Sequence, residues 1–212
     1  VETAVPPQRP VPLPAFVYGH LKAARRDMAW TLRRLVPWVR RGYAVVCSEP
    51  SAALFLKHEM ALLIDSDAAR LVSENTWELM EYLQRPGLQT PWKRQSPDTT
   101  QQQPEAPAPG VSQSFAPDTC RRLAYHAPCH LKALRDPSVS IDLLGGAGFA
   151  VVDIDGGCCG LAGTAGMQAK NRPLAEAVGG RLSGAIAAAG ADCIVTECAA
   201  CAMQILNLTG HP

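Results

Sequence analysis

Apolar positions divide the chain into two dense stretches separated by a polar one. Over residues 20–41, Leu21, Ala24, Met28, Leu32, Leu35, Val36 and Val39 recur at three- and four-residue intervals, which predicts a helix with one apolar face. Gly42 is placed to stop it. The short apolar run 43–47 predicts a buried strand, with Pro50 in the turn behind it. A second helix is expected from Ser51 or Ala52, and a third over 68–83. Residues 85–118 then carry seven prolines and a glutamine run. Such a stretch buries too little apolar surface to offset its ordering entropy, so it reads as a flexible linker or insertion.

Beyond it the pattern alternates. A strand over 122–126 leads into Ala127-Pro128-Cys129-His130. A strand over 149–154 leads into Asp155-Gly156-Gly157-Cys158-Cys159-Gly160. A helix over 173–189 precedes a strand over 192–196 that ends at Glu197-Cys198, and a last helix begins near Cys201. This alternation predicts an α/β fold, a parallel sheet covered by helices, with each cysteine group at the carboxyl end of a strand, where sites gather in open sheets. A shift of 148 positions lays Gly42 on Gly190, Ser48 on Thr196 and Glu49 on Glu197, while Pro50 and Ala53 fall where Cys198 and Cys201 stand. The chain therefore reads as two pseudo-repeated units: 1–84, degenerate and without the thiols; 85–118, the linker; and 119–212, the cysteine-bearing unit.

Composition narrows the function. Of 212 residues 47% are hydrophobic, enough for a core, and the formal net charge is +1. That balance gives no reason to expect nucleic acid or an anionic membrane as partner. The basic cluster Lys22, Arg25, Arg26, Arg33, Arg34, Arg40 and Arg41 lies on the predicted first helix and reads as a solvated face. No run reaches the roughly 18–20 apolar residues that cross a bilayer, so insertion by this chain is not expected. The start, 1–14, lacks the features of a signal peptide and an initiator Met, and is read as that of a fragment or processed chain. The glycines of 144–148 are no dinucleotide loop, since no GxGxxG occurs and a strand follows. Neither a P-loop nor a nucleophile elbow is present.

Eight cysteines remain: Cys47, Cys120, Cys129, Cys158, Cys159, Cys193, Cys198 and Cys201. An adjacent pair and a CxxC crowded into one half point to metal in a reducing compartment more than to disulfides. Cys129 is followed after 28 residues by Cys158-Cys159, and after 38 more by Cys198-x-x-Cys201. Five thiolates converging from three loops suit an iron–sulfur cluster or structural zinc, and five is one more than tetrahedral zinc needs. Cys47 and Cys193 lie in strand patterns and read as small buried hydrophobes; Cys120 borders the linker and reads as exposed. His126 and His130 flank Cys129; they read as loop histidines bonded to backbone, or as hydrogen-bond donors to a bound sulfur or substitute ligands.

The segments Tyr125-His-Ala-Pro-Cys129-His130, Gly157-Cys-Cys-Gly-Leu-Ala-Gly-Thr-Ala-Gly166 and Val195-Thr-Glu-Cys-Ala-Ala-Cys-Ala-Met-Gln204 together resemble the CCG cysteine-rich domain family. The family includes the cysteine-rich subunit of heterodisulfide reductase and the iron–sulfur subunits of glycolate oxidase and of anaerobic glycerol-3-phosphate dehydrogenase. It also includes the C-terminal part of FAD-linked 2-hydroxyacid dehydrogenase fusions. The three segments read most like those of the glycerol-3-phosphate enzyme. The resemblance implies that Cys129, Cys158, Cys159, Cys198 and Cys201 are ligands of an iron–sulfur cluster, of [4Fe-4S] type. It implies electron relay from a flavoprotein carrying FAD, as a partner subunit or fused domain, to a quinone or other membrane-bound acceptor. It implies a cytoplasmic place, peripheral on the inner face of the membrane through partners. Relatives carry two CCG copies behind a ferredoxin-like domain, and continue past the point where this chain stops; both departures mark it as a fragment. A zinc-stabilised docking module without redox function is the alternative.

Overall fold

The computed structural model describes residues 2–88 and 120–210. Most of the predicted linker, 89–118, therefore lies outside the described residues. The first unit opens with α1 (Leu13–Val17) and the long α2 (Leu21–Arg40), then β1 (Val45–Cys47). A continuous helical run follows: α3 (Pro50–Leu54), a π-helical turn at Phe55–Glu59, and α4 (Met60–Leu63). It ends with α5 (Asp67–Glu74), β2 (Thr76–Glu78) and α6 (Leu79–Leu83).

The apolar face read from the sequence is the one α2 buries, through Ala24, Met28, Leu32, Leu35 and Val39. They meet Phe55, Leu56, Met60, Leu63, Ala69 and Val72 in one core. Leu21, the first residue of the helix, is instead exposed because the apolar contact begins a turn later. The basic residues of α2 are largely solvated, though Arg34 stacks over Trp30 at 3.3 Å. The helix expected over 68–83 is broken by β2, which pairs in parallel with β1 through Val45↔Thr76 and Cys47↔Glu78. Two local features stop the helix: β-branched Thr76 and aromatic Trp77 favour the strand, and Glu78 and Glu81 form a reciprocal capping box that starts α6 afresh.

The second unit runs β3 (Arg122–Tyr125), α7 (Cys129–Leu134), α8 (Ser138–Gly146), β4 (Ala150–Asp153), α9 (Arg172–Ala189), β5 (Cys193–Val195) and α10 (Ala199–Thr209). The strands form a parallel sheet in the order β4-β3-β5. The α/β reading is correct, as two small sheets. Leu123, Ala124 and Tyr125 of the central strand are buried. Ala124 packs with Leu182, Ile186, Cys201 and Ile205 from α9 and α10, and Tyr125 with Leu131 of α7. Helix α7 begins at Cys129, inside the segment whose proline predicts a loop, and α8 takes in Gly145 and Gly146.

One cysteine reading is corrected. Cys193 is only half-buried and is disulfide-bonded to Cys120, which is half-buried too. The parallel register Leu123↔Cys193 brings the start of β3 beside β5, so two residues 73 apart in sequence become neighbours with Cα atoms 5.6 Å apart.

The repeat is visible in the backbone. Helix α2, β1 and α3 recur as α9, β5 and α10, and β1 and β5 are 148 residues apart (193 − 45). Each long helix gives way to a left-handed glycine, Gly42 at φ +89° and Gly190 at φ +56°. The units are joined by a buried polar group. Arg135, at the end of α7, lies 2.7 Å from Glu78 of β2 and donates to Ser140 at 2.8 Å. Ser140 in turn donates to Glu197 at 2.5 Å, and the Tyr125 hydroxyl donates to Glu197 at 2.8 Å.

Candidate metal centre

The five cysteines come from three places at the carboxyl ends of β3, β4 and β5. Cys129 is the first residue of α7, with Pro128 before it in the extended conformation that a helix entry needs. Cys158 and Cys159 lie in the glycine turn after β4. Only glycine fits at two of its positions: a Cβ at Gly156 would strike Leu182, and one at Gly160, where φ is +94°, would strike the Ala175 carbonyl. The turn is thus pressed against α9, and the Gly160 N–H donates to Cys158 Sγ at 3.3 Å. Cys198 caps α10, and Cys201 projects from its first turn.

Burial grades across the group. Cys159 and Cys201 are buried in the apolar core, Cys198 is half-buried, and Cys129 and Cys158 are exposed. The Cys201 thiol donates to Cys159 Sγ at 3.2 Å. That contact, with the Leu161 N–H assisting against burial, pulls the Cys159 thiol down to about 6. Cys198 is also lowered, chiefly by its contact with Cys201, while Cys201, set between the two, is raised and keeps its proton. Burial raises Cys129, and the neighbouring Cys158, Cys159 and Cys198 add to the effect, so all five thiols lie within electrostatic reach. Among the described residues no three His, Cys, Asp or Glu side chains stand as a set that closes on a single ion. The thiols are one touching pair with three others around it. Such a donor set is soft, partly pre-ionised and supplied with a backbone N–H at one sulfur, which fits a thiolate-bound cluster.

The two histidines differ from the expectation of loop residues bonded to backbone. His126 is 1% exposed and neither ring nitrogen has a hydrogen-bond partner among the described residues. Burial holds its pKa down at about 4. His130 Nδ1 lies 2.7 Å from Ser51 Oγ of the first unit. Cys47 is apart from the group, at the end of β1, and burial raises its thiol to about 11.

Sequence reasoning missed the first unit's share in this site. Glu49 Oε2 accepts the Ala199 N–H at 3.1 Å, and α3 packs on α7. The signal was present in the repeat, which aligns Glu49 with Glu197, but alignment does not reveal that the two carboxylates face different partners.

The resemblance read from the three motifs holds. Residues 123–206 match the family model of the CCG cysteine-rich domain. Within that stretch the chain is similar to one of the subunits of anaerobic glycerol-3-phosphate dehydrogenase of Escherichia coli (strain K12), 36% identical over 85 residues. The same protein of Escherichia coli O157:H7 matches equally. The aligned part is 40% of this chain and only 22% of either relative.

Proposed function

We propose that this chain is an iron–sulfur electron-transfer component, working beside a flavoprotein dehydrogenase. The observation that supports it best is the gathering of five thiols at one sheet edge within the stretch that matches the CCG domain. Cys129, Cys158, Cys159, Cys198 and Cys201 would hold the cluster, of [4Fe-4S] type. When bound, it supplies one-electron acceptance and donation. The residues of the chain do the rest. Gly156 and Gly160 let the backbone close on α9, so the Cys158-Cys159 turn is held rigid. The Gly160 N–H offsets negative charge on the Cys158 sulfur. Cys159 and Cys201 seal the inner side against water, while Cys129 and Cys158 leave the outer side open for electron entry.

The relatives are subunits of a glycerol-3-phosphate dehydrogenase. We extend this to glycerol 3-phosphate, glycolate, lactate or a similar 2-hydroxyacid as the partner's substrate, and a quinone or other acceptor beyond. FAD belongs to the partner. Among the described residues no helix is long and apolar enough to cross a membrane. The proposed place is cytoplasmic, at the inner face of the membrane through partners.

Iron, acid-labile sulfide and zinc are measured on anaerobically purified chain, with EPR spectra before and after dithionite. Iron with sulfide and a signal that changes on reduction supports the reading. Stoichiometric zinc without a signal sinks it and leaves a docking module.

A further inference from the structure

The thiol-free unit touches the cysteine site through a continuous hydrogen-bonded chain. Glu49 is half-buried at the end of β1, and its Oε2 accepts the N–H of Ala199, the residue after Cys198. Its Oε1 accepts the Ser51 hydroxyl at 3.3 Å. With that proton committed to Glu49, Ser51 Oγ is left to accept from His130 Nδ1–H at 2.7 Å, and His130 follows Cys129. The chain therefore runs from the neighbour of one exposed thiol to the neighbour of the Cys198 thiol, by way of first-unit side chains. Glu49 also lies within electrostatic reach of Cys198 itself. Its counterpart Glu197 does something else: it is buried with Tyr125, Ser140 and Arg135.

We propose that the degenerate unit is a working part of the centre, and that Glu49, aimed by Ser51 and His130, is the positioning residue that sets its reduction potential. The inference rests on the iron–sulfur reading above. Reduction adds an electron beside a fixed carboxylate, so the charge on Glu49 disfavours the reduced state. A carboxylate also occupies the N-terminal N–H of α10, an 11-residue helix whose dipole would otherwise favour negative charge on Cys198.

The test is redox titration of loaded full chain with Glu49→Gln, Glu49→Asp and wild type. Glutamine keeps an acceptor oxygen for Ala199 and removes the charge. The expected result is unchanged iron content and a higher midpoint potential in Glu49→Gln, equal to about tenfold more reduced centre at a fixed potential. Glu49→Asp returns the wild-type value. Equal potentials in wild type and Glu49→Gln, with iron retained in both, overturn the proposal and leave the iron–sulfur reading standing. Wild-type chain that takes up no iron overturns both. Amide exchange in metal-free chain checks the contact separately: Ala199 exchanges faster in Glu49→Ala than in wild type, and equal rates also overturn the proposal.

Discussion

Helices α3 and α10 enter from matching strands with the same backbone, since Glu49 and Cys198, the residues before each helix, share φ −108° and ψ 118°. Their chemistry differs. Pro50 and Ala53 are buried where the second unit carries Cys198 and Cys201, and Ala53 is as enclosed as Cys201. A methyl group fills the inner position as well as a thiol does. Strand, turn and helix therefore do not need the cysteines; α2 and its core supply that stability in the first unit. The thiols of the second unit are carried for what they bind. The first unit, having none at those positions, contributes carboxylates and a hydroxyl to its neighbour instead.

The largest expected effect comes from breaking the second unit's thiol set. Cys159→Ser removes a buried thiol in contact with Cys201, and iron and sulfide content falls to near zero after anaerobic loading. Cys193→Ser breaks the disulfide with Cys120, away from the carboxyl ends of the strands, and retains iron. Equal loss in both variants contradicts the assignment of ligands. Next is the joint between the units. Arg135 and Glu78 are buried, with 8% and 0% of their side chains exposed, so Arg135→Ala leaves two carboxylates without their cation. Removing one partner of such a pair costs about 3–5 kcal/mol, read by urea unfolding. A loss under about 1 kcal/mol would mean that the units are not coupled there.

The pH dependence is smaller. His126 titrates at about 4 when folded and near 6.5 when unfolded, because burial penalises its cation. Between those values the unfolded chain binds the extra proton, so stability falls as pH drops from 6.5 towards 4 and is unaffected by this group above it. Metal-free chain is expected to lose about 2 kcal/mol between about pH 7 and about pH 5, and His126→Gln to lose that much less over the same range. The smallest effect is Ser66→Ala. Ser66 Oγ accepts the Ala69 N–H at 3.2 Å as the cap of α5, worth about 1 kcal/mol, and iron content is unchanged because α5 packs into the first unit's own core.

The long-period features were legible in the sequence. The apolar face of α2, the three strands of the second unit and the glycine turn at Cys158 depend on neighbours in the chain, and periodicity reports neighbours. Three features depended on contacts between distant residues. Trp77 reads as part of a helix until β1 is available to pair with it. Cys120 and Cys193 look unrelated until β3 and β5 come into register. Glu49 looks like the end of a strand until Ala199 is beside it. The candidate site was thus readable as a list of thiols, while the side chains that orient it from the other unit were not.

The central claim is that the five cysteines hold iron and sulfide together. Iron K-edge X-ray absorption on anaerobically loaded chain tests it most directly. The account predicts a nearest shell of sulfur alone and a second shell of iron. A shell of nitrogen or oxygen, or iron without iron neighbours, would contradict it.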